Sequence, residues 1–232
     1  MIQLVMKYLL TLLLIVFINS SLLAQKFSLS FDAQLTLPQE DYRNENPDAG
    51  FGLRTNFFYK PGKNLPLKFG IELGMQEKSR ATQYFSGYIN GFYDDFRVDA
   101  ASNIFSLMFV TRLQSSRPGK IKPFLDLIGG WNAFFSTVSV ERLTYYSDYN
   151  SSYSNSTKAH WAVAYGLAGG IDIPLNRRDG IGLELKAAYL IGAYSSYLTN
   201  PYIDNNANVS FDEKNSRTTM LIPQAGVRIT IW

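Results

Sequence analysis

The stretch FSLSFDAQLTL, residues 27–37, alternates apolar and polar side chains without a break. Successive side chains of a β-strand point to opposite faces, so this pattern predicts a strand with one apolar and one polar face. Seven later segments repeat the alternation, and together they predict an all-β protein that closes into an antiparallel barrel. The eight predicted strands cover residues 26–37, 50–60, 66–76, 103–114, 121–140, 158–174, 180–198 and 217–232.

The first residues form a different pattern. Lys7 precedes an apolar run over residues 8–18, and a stretch of polar, small and leucine residues follows to Ala24. The run is much shorter than the ~20 residues that a membrane-spanning helix needs. We therefore predict a cleaved signal peptide over residues 1–24 and a mature barrel over residues 25–232.

The connections between the predicted strands alternate in length. Long connections (38–49, 77–102, 141–157 and 199–216) alternate with short turns (61–65, 115–120 and 175–179). Transmembrane barrels have this arrangement, with long extracellular loops and short periplasmic turns. The chain is therefore predicted to be an eight-stranded up-and-down transmembrane β-barrel, with outer-membrane lipid around it and both termini in the periplasm.

Charged residues are confined to one face of the predicted strands. A charge facing lipid near the bilayer centre costs about 2–4 kcal/mol, so this face is predicted to line the lumen. The alternative is a soluble lipocalin-like barrel, which would turn the apolar face inward. The ten predicted lumen charges are Asp32, Arg54, Lys68, Glu72, Arg112, Asp126, Asp172, Glu184, Lys186 and Arg228.

Five of these ten residues are acidic and five are basic, which predicts a paired network. Buried charges need partners, and an eight-stranded barrel is just wide enough for side chains to fill it. Arg54–Glu72 and Glu184–Arg228 are the contacts that the strand order suggests. A plugged interior is the favoured interpretation, and a narrow ion path is the alternative.

Two long connections are rich in aromatic residues that suit a contact surface. Tyrosines in adaptable polar loops supply contact area at a low entropic cost, so these loops are candidates for binding an extracellular protein or a glycan. Alternatively, the strands continue beyond the membrane and the aromatic rings pack on each other. The candidate contact residues are Tyr84, Phe85, Tyr88, Phe92, Tyr93, Tyr145, Tyr146 and Tyr149.

Signals for catalysis and for metal binding are weak. In barrel enzymes of the lipid A deacylase kind, a serine stands two positions after the histidine. The single histidine of this chain, His160, has Ala162 at that position, so the pattern is absent. The last long connection is rich in oxygen ligands but lacks the spacing of a calcium loop. These ligands are Asp204, Asn205, Asn206, Asn208, Asp212 and Glu213.

The remaining composition excludes several classes of function. The formal charge of +3 is too small to indicate a nucleic-acid partner. The chain has no cysteine, so it forms no disulfide. The sequence contains no nucleotide-binding or zinc-binding motif, and we predict no cofactor and no enzymatic activity.

Two segments resemble a known family. KIKPFLDLIGGW (residues 120–131) and the terminal AGVRITIW (residues 225–232) resemble the small outer-membrane β-barrel domain proteins of the Bacteroidetes, the PorT-like group. The resemblance implies an outer-membrane location and a final strand, ending at Trp232, that the barrel-insertion machinery reads. Trp232 lies out of phase with the apolar residues Val227, Ile229 and Ile231, unlike the last aromatic residue of many such barrels.

Three functions fit these observations. The first is a non-enzymatic scaffold or adhesin-like protein that makes contacts through its long loops. The second is a narrow pore or an accessory component of an outer-membrane transport or secretion system. The third is a lipid-modifying barrel enzyme.

Overall fold

The computed structural model describes residues 26–62, 65–89, 92–115, 121–143, 152–157, 159–176, 180–205 and 207–231. Side chains are described for these residues except 26, 88, 89, 92–94 and 152–154. The predicted signal peptide lies outside the described residues. In the described part of the chain, no helix is both long and apolar enough to cross a membrane.

Strands dominate the structure. The elements in chain order are β1 (Lys26–Pro38), α1 (Glu40–Glu45), β2 (Gly50–Lys60), β3 (Leu67–Ile89), β4 (Phe92–Gln114), β5 (Lys122–Arg142), β6 (Ser152–Ser156), β7 (His160–Pro174), β8 (Ile181–Gly192), β9 (Tyr194–Ile203), β10 (Val209–Arg217) and β11 (Met220–Ile231).

Eight strands close into a ring. Each strand of the ring pairs antiparallel with its two neighbours in the order β1, β2, β3, β4, β5, β7, β8 and β11. The pairing of β11 with β1 closes the ring. A closed ring leaves no strand edge within the barrel wall, so every strand of the wall has a backbone partner on both sides. The predicted eight-stranded antiparallel up-and-down transmembrane barrel is confirmed.

The apolar face of the ring points outward. Phe31 and Leu127 are 54% and 62% exposed, whereas Arg54 and Asp126 on the other face are 1% and 0% exposed. A water-soluble barrel would show the opposite distribution, because water favours charge outside and apolar groups inside. The exposure pattern therefore contradicts the lipocalin-like alternative and is the one that lipid imposes.

Three strands of the wall continue beyond the barrel at its long-loop end. β3 and β4 remain paired from Glu77↔Asn103 to Ile89↔Phe92, with one register shift between Glu77 and Ser79. The predicted connection over residues 77–102 is therefore wrong, because most of it belongs to a β-hairpin. β5 follows β4 as far as Arg142, and β6 pairs with the upper part of β5. We call this four-stranded extension the rim sheet.

A second hairpin replaces the last predicted loop. β8 ends at Gly192, where a Cβ would collide with Thr218 Oγ1, so the chain passes too closely for a larger residue. β9 and β10 then pair with each other and cross the barrel mouth, where β9 contacts β3, β4, β5 and β7. The helix α1, in a segment predicted as a loop, packs against β10 and β1 at the same end.

Candidate functional site: a filled lumen and a covered mouth

Charged side chains meet inside the barrel toward its short-turn end. Arg54 Nη1 lies 2.7 Å from Glu72 Oε2. The ammonium group of Lys186, from the opposite wall, contacts Glu72 and lies 3.4 Å from Asp126 Oδ2. All of these side chains are buried. We call the following six residues the lower lumen layer: Arg54, Glu72, Arg112, Asp126, Glu184 and Lys186.

Arg112 links two carboxylates of this layer. Its Nε and Nη2 donate to the two oxygens of Asp126 at 2.8 Å, and its Nη1 and Nη2 donate to Glu184 at 2.8 and 2.7 Å. The guanidinium carbon lies 4.2 Å and 3.7 Å from the ring centroids of Phe58 and Phe124. Such two-sided bidentate pairing, with aromatic rings near the guanidinium, suits arginine and not lysine.

Polar residues of β1 to β3 continue the network upward. Arg54 Nε donates to Gln34 Oε1 at 2.7 Å, and Gln34 Nε2 donates to Gln76 Oε1 at 3.1 Å. On the same wall, Asp32 accepts hydrogen bonds from Ser30 and Asn56. The charged groups are thereby held in place by neutral side chains.

The remaining predicted lumen charges lie near the short-turn end. Asp172 Oδ2 lies 3.0 Å from Arg228 Nε and accepts a hydrogen bond from Gln114. A Cβ on Gly182 would lie 2.6 Å from both partners of this pair, so glycine makes room for it. Lys68 is half-buried and sits opposite Arg112 in the register of β3 and β4.

The structure pairs Glu184 with Arg112 and Arg228 with Asp172, whereas the sequence suggested a Glu184–Arg228 contact. The register explains the difference, because Glu184 stands opposite Gly226 and Arg228 stands opposite Gly182. The long Arg112 side chain instead crosses the lumen from β4 to β8. Strand order predicts contacts only between neighbouring strands, so it cannot predict a contact across the lumen.

An apolar group fills the lumen toward the long-loop end, where the sequence suggested only polar residues. Its residues are at most 3% exposed and belong to one buried cluster. The signal for them is present as broken alternation, since runs such as residues 133–135 and 220–222 are apolar at consecutive positions. We call the following five residues the upper lumen layer: Ile104, Phe134, Leu190, Met220 and Ile222.

The mouth above this layer is covered by aromatic packing. The Tyr42 ring of α1 meets Phe134 and the Tyr197 ring of β9 edge-on, with centroids 6.3 and 5.1 Å apart. Burial raises the pKa of the Tyr42 phenol well above its usual range. Tyr197 Oη lies 2.8 Å from Ser216 Oγ of β10, and Lys78 donates to the Asn46 carbonyl oxygen. The helix and the hairpin thus close the barrel from above.

The rim sheet has one packed and one polar face. Its inner face and the β9–β10 hairpin enclose a cluster around Val98, Ala100 and Ile203. On the outer face, Asp99 accepts hydrogen bonds from Thr82 Oγ1 at 2.6 Å and from Arg97 Nε at 2.7 Å. Burial tends to raise the pKa of the Asp99 carboxyl, but these two hydrogen bonds lower it below its ordinary value.

The candidate contact residues divide between the two faces. Tyr84 is 66% exposed on the outer face of the rim sheet, while Phe85 packs against the cluster of the inner face. Tyr88, Phe92 and Tyr93 lie at the end of the β3–β4 hairpin, and their side chains are outside the described part. Residues 144–150, with the three remaining tyrosines, also lie outside the described residues.

The other candidates occupy simpler environments. His160 begins β7 as an exposed residue opposite Phe134, and Ala162 is buried. Both carboxylate oxygens of Asp204 accept hydrogen bonds from Asn208 and so cap the β9–β10 turn, while Asp212 accepts one from Asn200. Within the described ranges, no three His, Asp or Glu side chains are grouped to hold a metal ion.

By its fold, the chain is a small transmembrane β-barrel protein. No family model matches it, and no curated protein matches it. Among solved structures it is similar to Neisserial surface protein A, at 13% identity over 88% of this chain and 96% of that chain, with a TM-score of 0.45. It is also similar to a major outer membrane protein from Thermus thermophilus, at 13% identity over 90% and 100% of the chains, with a TM-score of 0.43.

A third solved structure is Ail, the attachment invasion locus protein of Yersinia pestis. It is 13% identical, over 89% of this chain and 98% of that chain, with a TM-score of 0.35. These likenesses assign no family to the chain, and the PorT-like resemblance of its segments stays a prediction.

Proposed function

We propose that this chain is a non-enzymatic outer-membrane protein that displays its rim sheet to the outside and does not conduct. Its uncharged exterior suits lipid, and its short turns suit the periplasmic side. Both termini then face the periplasm, residues 1–24 are removed on export, and the final strand with Trp232 is read by the insertion machinery. The long-loop end, with the rim sheet, faces outward and contacts an extracellular protein or glycan.

The filled lumen is the observation that carries this proposal. Side chains from β2, β3, β4, β5 and β8 meet in the lower lumen layer, and apolar side chains with the α1 and β9–β10 cover lie above them. An eight-stranded barrel filled in this way has no room for a solute. Among the described residues at the long-loop end, the rim sheet remains accessible, and a partner would find Tyr84 and its polar neighbours there.

The first test is single-channel conductance of the refolded mature chain in a planar bilayer. Insertion is verified beforehand by a heat-dependent shift in gel mobility, which folded barrels show. We expect a silent bilayer. Steady conductance from an inserted barrel would overturn the closed-lumen proposal and favour the pore or transport accessory.

A second test separates surface contact from a lipid-modifying activity. Replacing residues 84–97 with a two-residue turn keeps the Gln83↔Val98 pair and shortens the hairpin without changing the register. We expect this variant to lose binding to an extracellular matrix or glycan array while still inserting. The His160→Ala variant should bind as the wild type does. Loss of lipid modification in His160→Ala would instead identify an enzyme.

A further inference from the structure

The upper part of β3 has a long strand edge with which no strand pairs among the described residues. β2 pairs with β3 only between Phe51↔Glu77 and Tyr59↔Phe69. From residue 79 to residue 89, the strand that pairs with β3 among the described residues is β4, on the other side. At ~3.3 Å per residue, this edge is about 30 Å long.

The composition of this edge is unusual for an exposed strand. Residues 81–89, ATQYFSGYI, contain no charge and no proline and are rich in residues that favour strands. Natural proteins usually protect an edge with lysine, proline or a very short strand, because an unprotected edge pairs with other chains. The short β6, at the opposite side of the rim sheet, follows that rule, whereas β3 does not.

The backbone groups that face this edge follow from the neighbouring ladder. Leu143 N donates to the carbonyl oxygen of Asp95 at 2.8 Å, so the backbone of Asp95 points toward β5. The next residue, Phe96, therefore points toward β3, where it stands opposite Phe85. The backbone groups of Phe85 accordingly point toward β4. Because backbone N–H and C=O groups of successive residues point to opposite sides of a strand, those of Thr82 and Tyr84 point toward the free edge.

We propose that this edge of β3 receives an extended polypeptide segment of a partner protein as an added β-strand. The proposal rests on the proposed function, since it names the class of partner that the rim sheet binds. Main-chain hydrogen bonds to Thr82, Tyr84 and Ser86 hold the added strand. Side chains of the added strand alternate between the two faces of the sheet.

The side chains beside the edge define the pattern that the partner needs. On the inner face, Ala81 and Phe85 are only partly buried against the hairpin cluster. Apolar side chains of the added strand would cover them and extend that cluster. On the outer face, the neighbours are Thr82, Tyr84 and Ser86, which suit polar or aromatic residues. The partner segment therefore alternates apolar and polar residues.

A second copy of this chain does not fit the edge. Copies in one membrane are related by an axis along the membrane normal, so their β3 strands rise in the same direction. Barrel strands tilt by ~35–45° from that axis, and two such edges would cross at roughly 80° instead of running side by side. A flexible segment of another protein has no such restriction.

The test uses a fluorescent, lysine-flanked peptide with the sequence of residues 81–89, which can pair antiparallel with the edge it copies. Binding to the full barrel in lipid nanodiscs is measured by fluorescence anisotropy. A second peptide carries N-methyl groups at alternate residues, which removes the hydrogen-bond donors of one edge. We expect the first peptide to bind and the second to bind about tenfold more weakly.

A matched pair of variants locates the binding site. Thr82→Ala and Thr82→Pro both lose the hydroxyl that bonds to Asp99, but only proline removes the N–H that faces the edge. We expect wild-type affinity for Thr82→Ala and about tenfold weaker binding for Thr82→Pro. Equal binding to both variants, or no binding of the peptide to the wild type, would overturn the proposed edge site.

The gel-shift assay and the conductance recording distinguish failure of the edge site from misfolding of a variant and from failure of the proposed function. If Thr82→Pro does not show the gel shift of a folded barrel, equal binding of the two peptides to the wild type overturns the proposal by itself. Conductance is recorded on the same preparation. A silent barrel that does not bind the peptide contradicts the edge site alone, whereas a conducting barrel contradicts the proposed function.

Discussion

The two halves of the lumen are filled by different chemistry. Along β4, the buried Arg112 lies toward the short-turn end and the buried Ile104 toward the long-loop end. β8 has the same order, with Glu184 below and Leu190 above. The lower layer is held by ion pairs that converge from opposite walls, and the upper layer is held by apolar packing beneath the covered mouth.

This difference shows that a lumen can be filled through two kinds of interaction, buried ion pairs and apolar packing. Charges buried in pairs cost desolvation that their partners must offset, so removing one partner exposes the full penalty of the other. Apolar packing has no such asymmetry, and its loss scales with the cavity that is left. Variants in the two layers should therefore lower the free energy of unfolding by different amounts. The cause is an unpaired buried charge in the lower layer and a cavity in the upper layer.

The largest effect is expected from Arg112→Ala in the lower layer. It leaves Asp126 and Glu184 buried without their main cation, which should lower the free energy of unfolding by about 3–5 kcal/mol. Urea-dependent unfolding in lipid vesicles measures it. The control, Arg80→Ala, breaks an exposed ion pair with Glu77 and should cost less than about 1 kcal/mol. Equal effects of the two variants would contradict the paired network.

The next effect is expected from Leu190→Ala in the upper layer. Leu190 is completely buried, so its truncation should leave a cavity and cost about 2–5 kcal/mol in the same unfolding experiment. Leu185→Ala on the same strand is the control, because lipid can fill the space beside this outward-facing residue. If Leu185→Ala is as destabilising as Leu190→Ala, the upper layer is not tightly packed.

A smaller and local effect is expected where the hairpin covers the upper layer. Tyr197→Phe removes the buried hydroxyl that lies 2.8 Å from Ser216 Oγ, which is worth about 1 kcal/mol. Amide hydrogen exchange in β9 and β10 should accelerate about fivefold while the barrel strands stay protected. Tyr194→Phe, at an exposed position of the same strand, should leave exchange unchanged. Acceleration throughout the barrel would show that the cover is not a separate unit.

The smallest effect is expected outside the lumen, at Asp99 of the rim sheet. Its pKa is lowered in the folded protein, so the ionised carboxylate stabilises the fold above the ordinary aspartate pKa of 3.8. This contribution is lost as the pH falls through the folded-state pKa. Asp99→Asn should therefore lower stability by less than about 1 kcal/mol at pH 7, and the difference from the wild type should shrink as the pH falls below 3.8. A difference that does not change with pH would exclude ionisation as its cause.

The barrel wall was predictable because one rule, alternation with period two, governs each of its strands. Residues 27–37 and 50–60 follow it closely, and the structure places strands at Lys26–Pro38 and Gly50–Lys60. The rule fails beyond the wall, where Tyr84 and Phe85 are both aromatic although they lie on opposite faces of the rim sheet. There, the polar outer face also carries the exposed aromatic ring of Tyr84, so apolar and polar residues no longer alternate strictly and the pattern does not separate the two faces.

Partners across the lumen could not be predicted. Arg54 and Glu72 lie on neighbouring strands, and strand order alone brings them close. Arg112 and Glu184 are 72 residues apart in the chain, and no ladder joins β4 to β8. Their contact depends on the diameter of the closed ring and on the length of the arginine side chain.

The sequence by itself determined the strands of the barrel wall, their order and which face meets lipid, because these depend on local alternation and on turn lengths. The tertiary structure decided which charges pair, how far β3 and β4 rise, and that α1 and the β9–β10 hairpin cover the mouth. Those features depend on ring closure and on contacts between distant segments. Closure brings opposite walls within reach of a single side chain, and no local pattern in the chain encodes that distance.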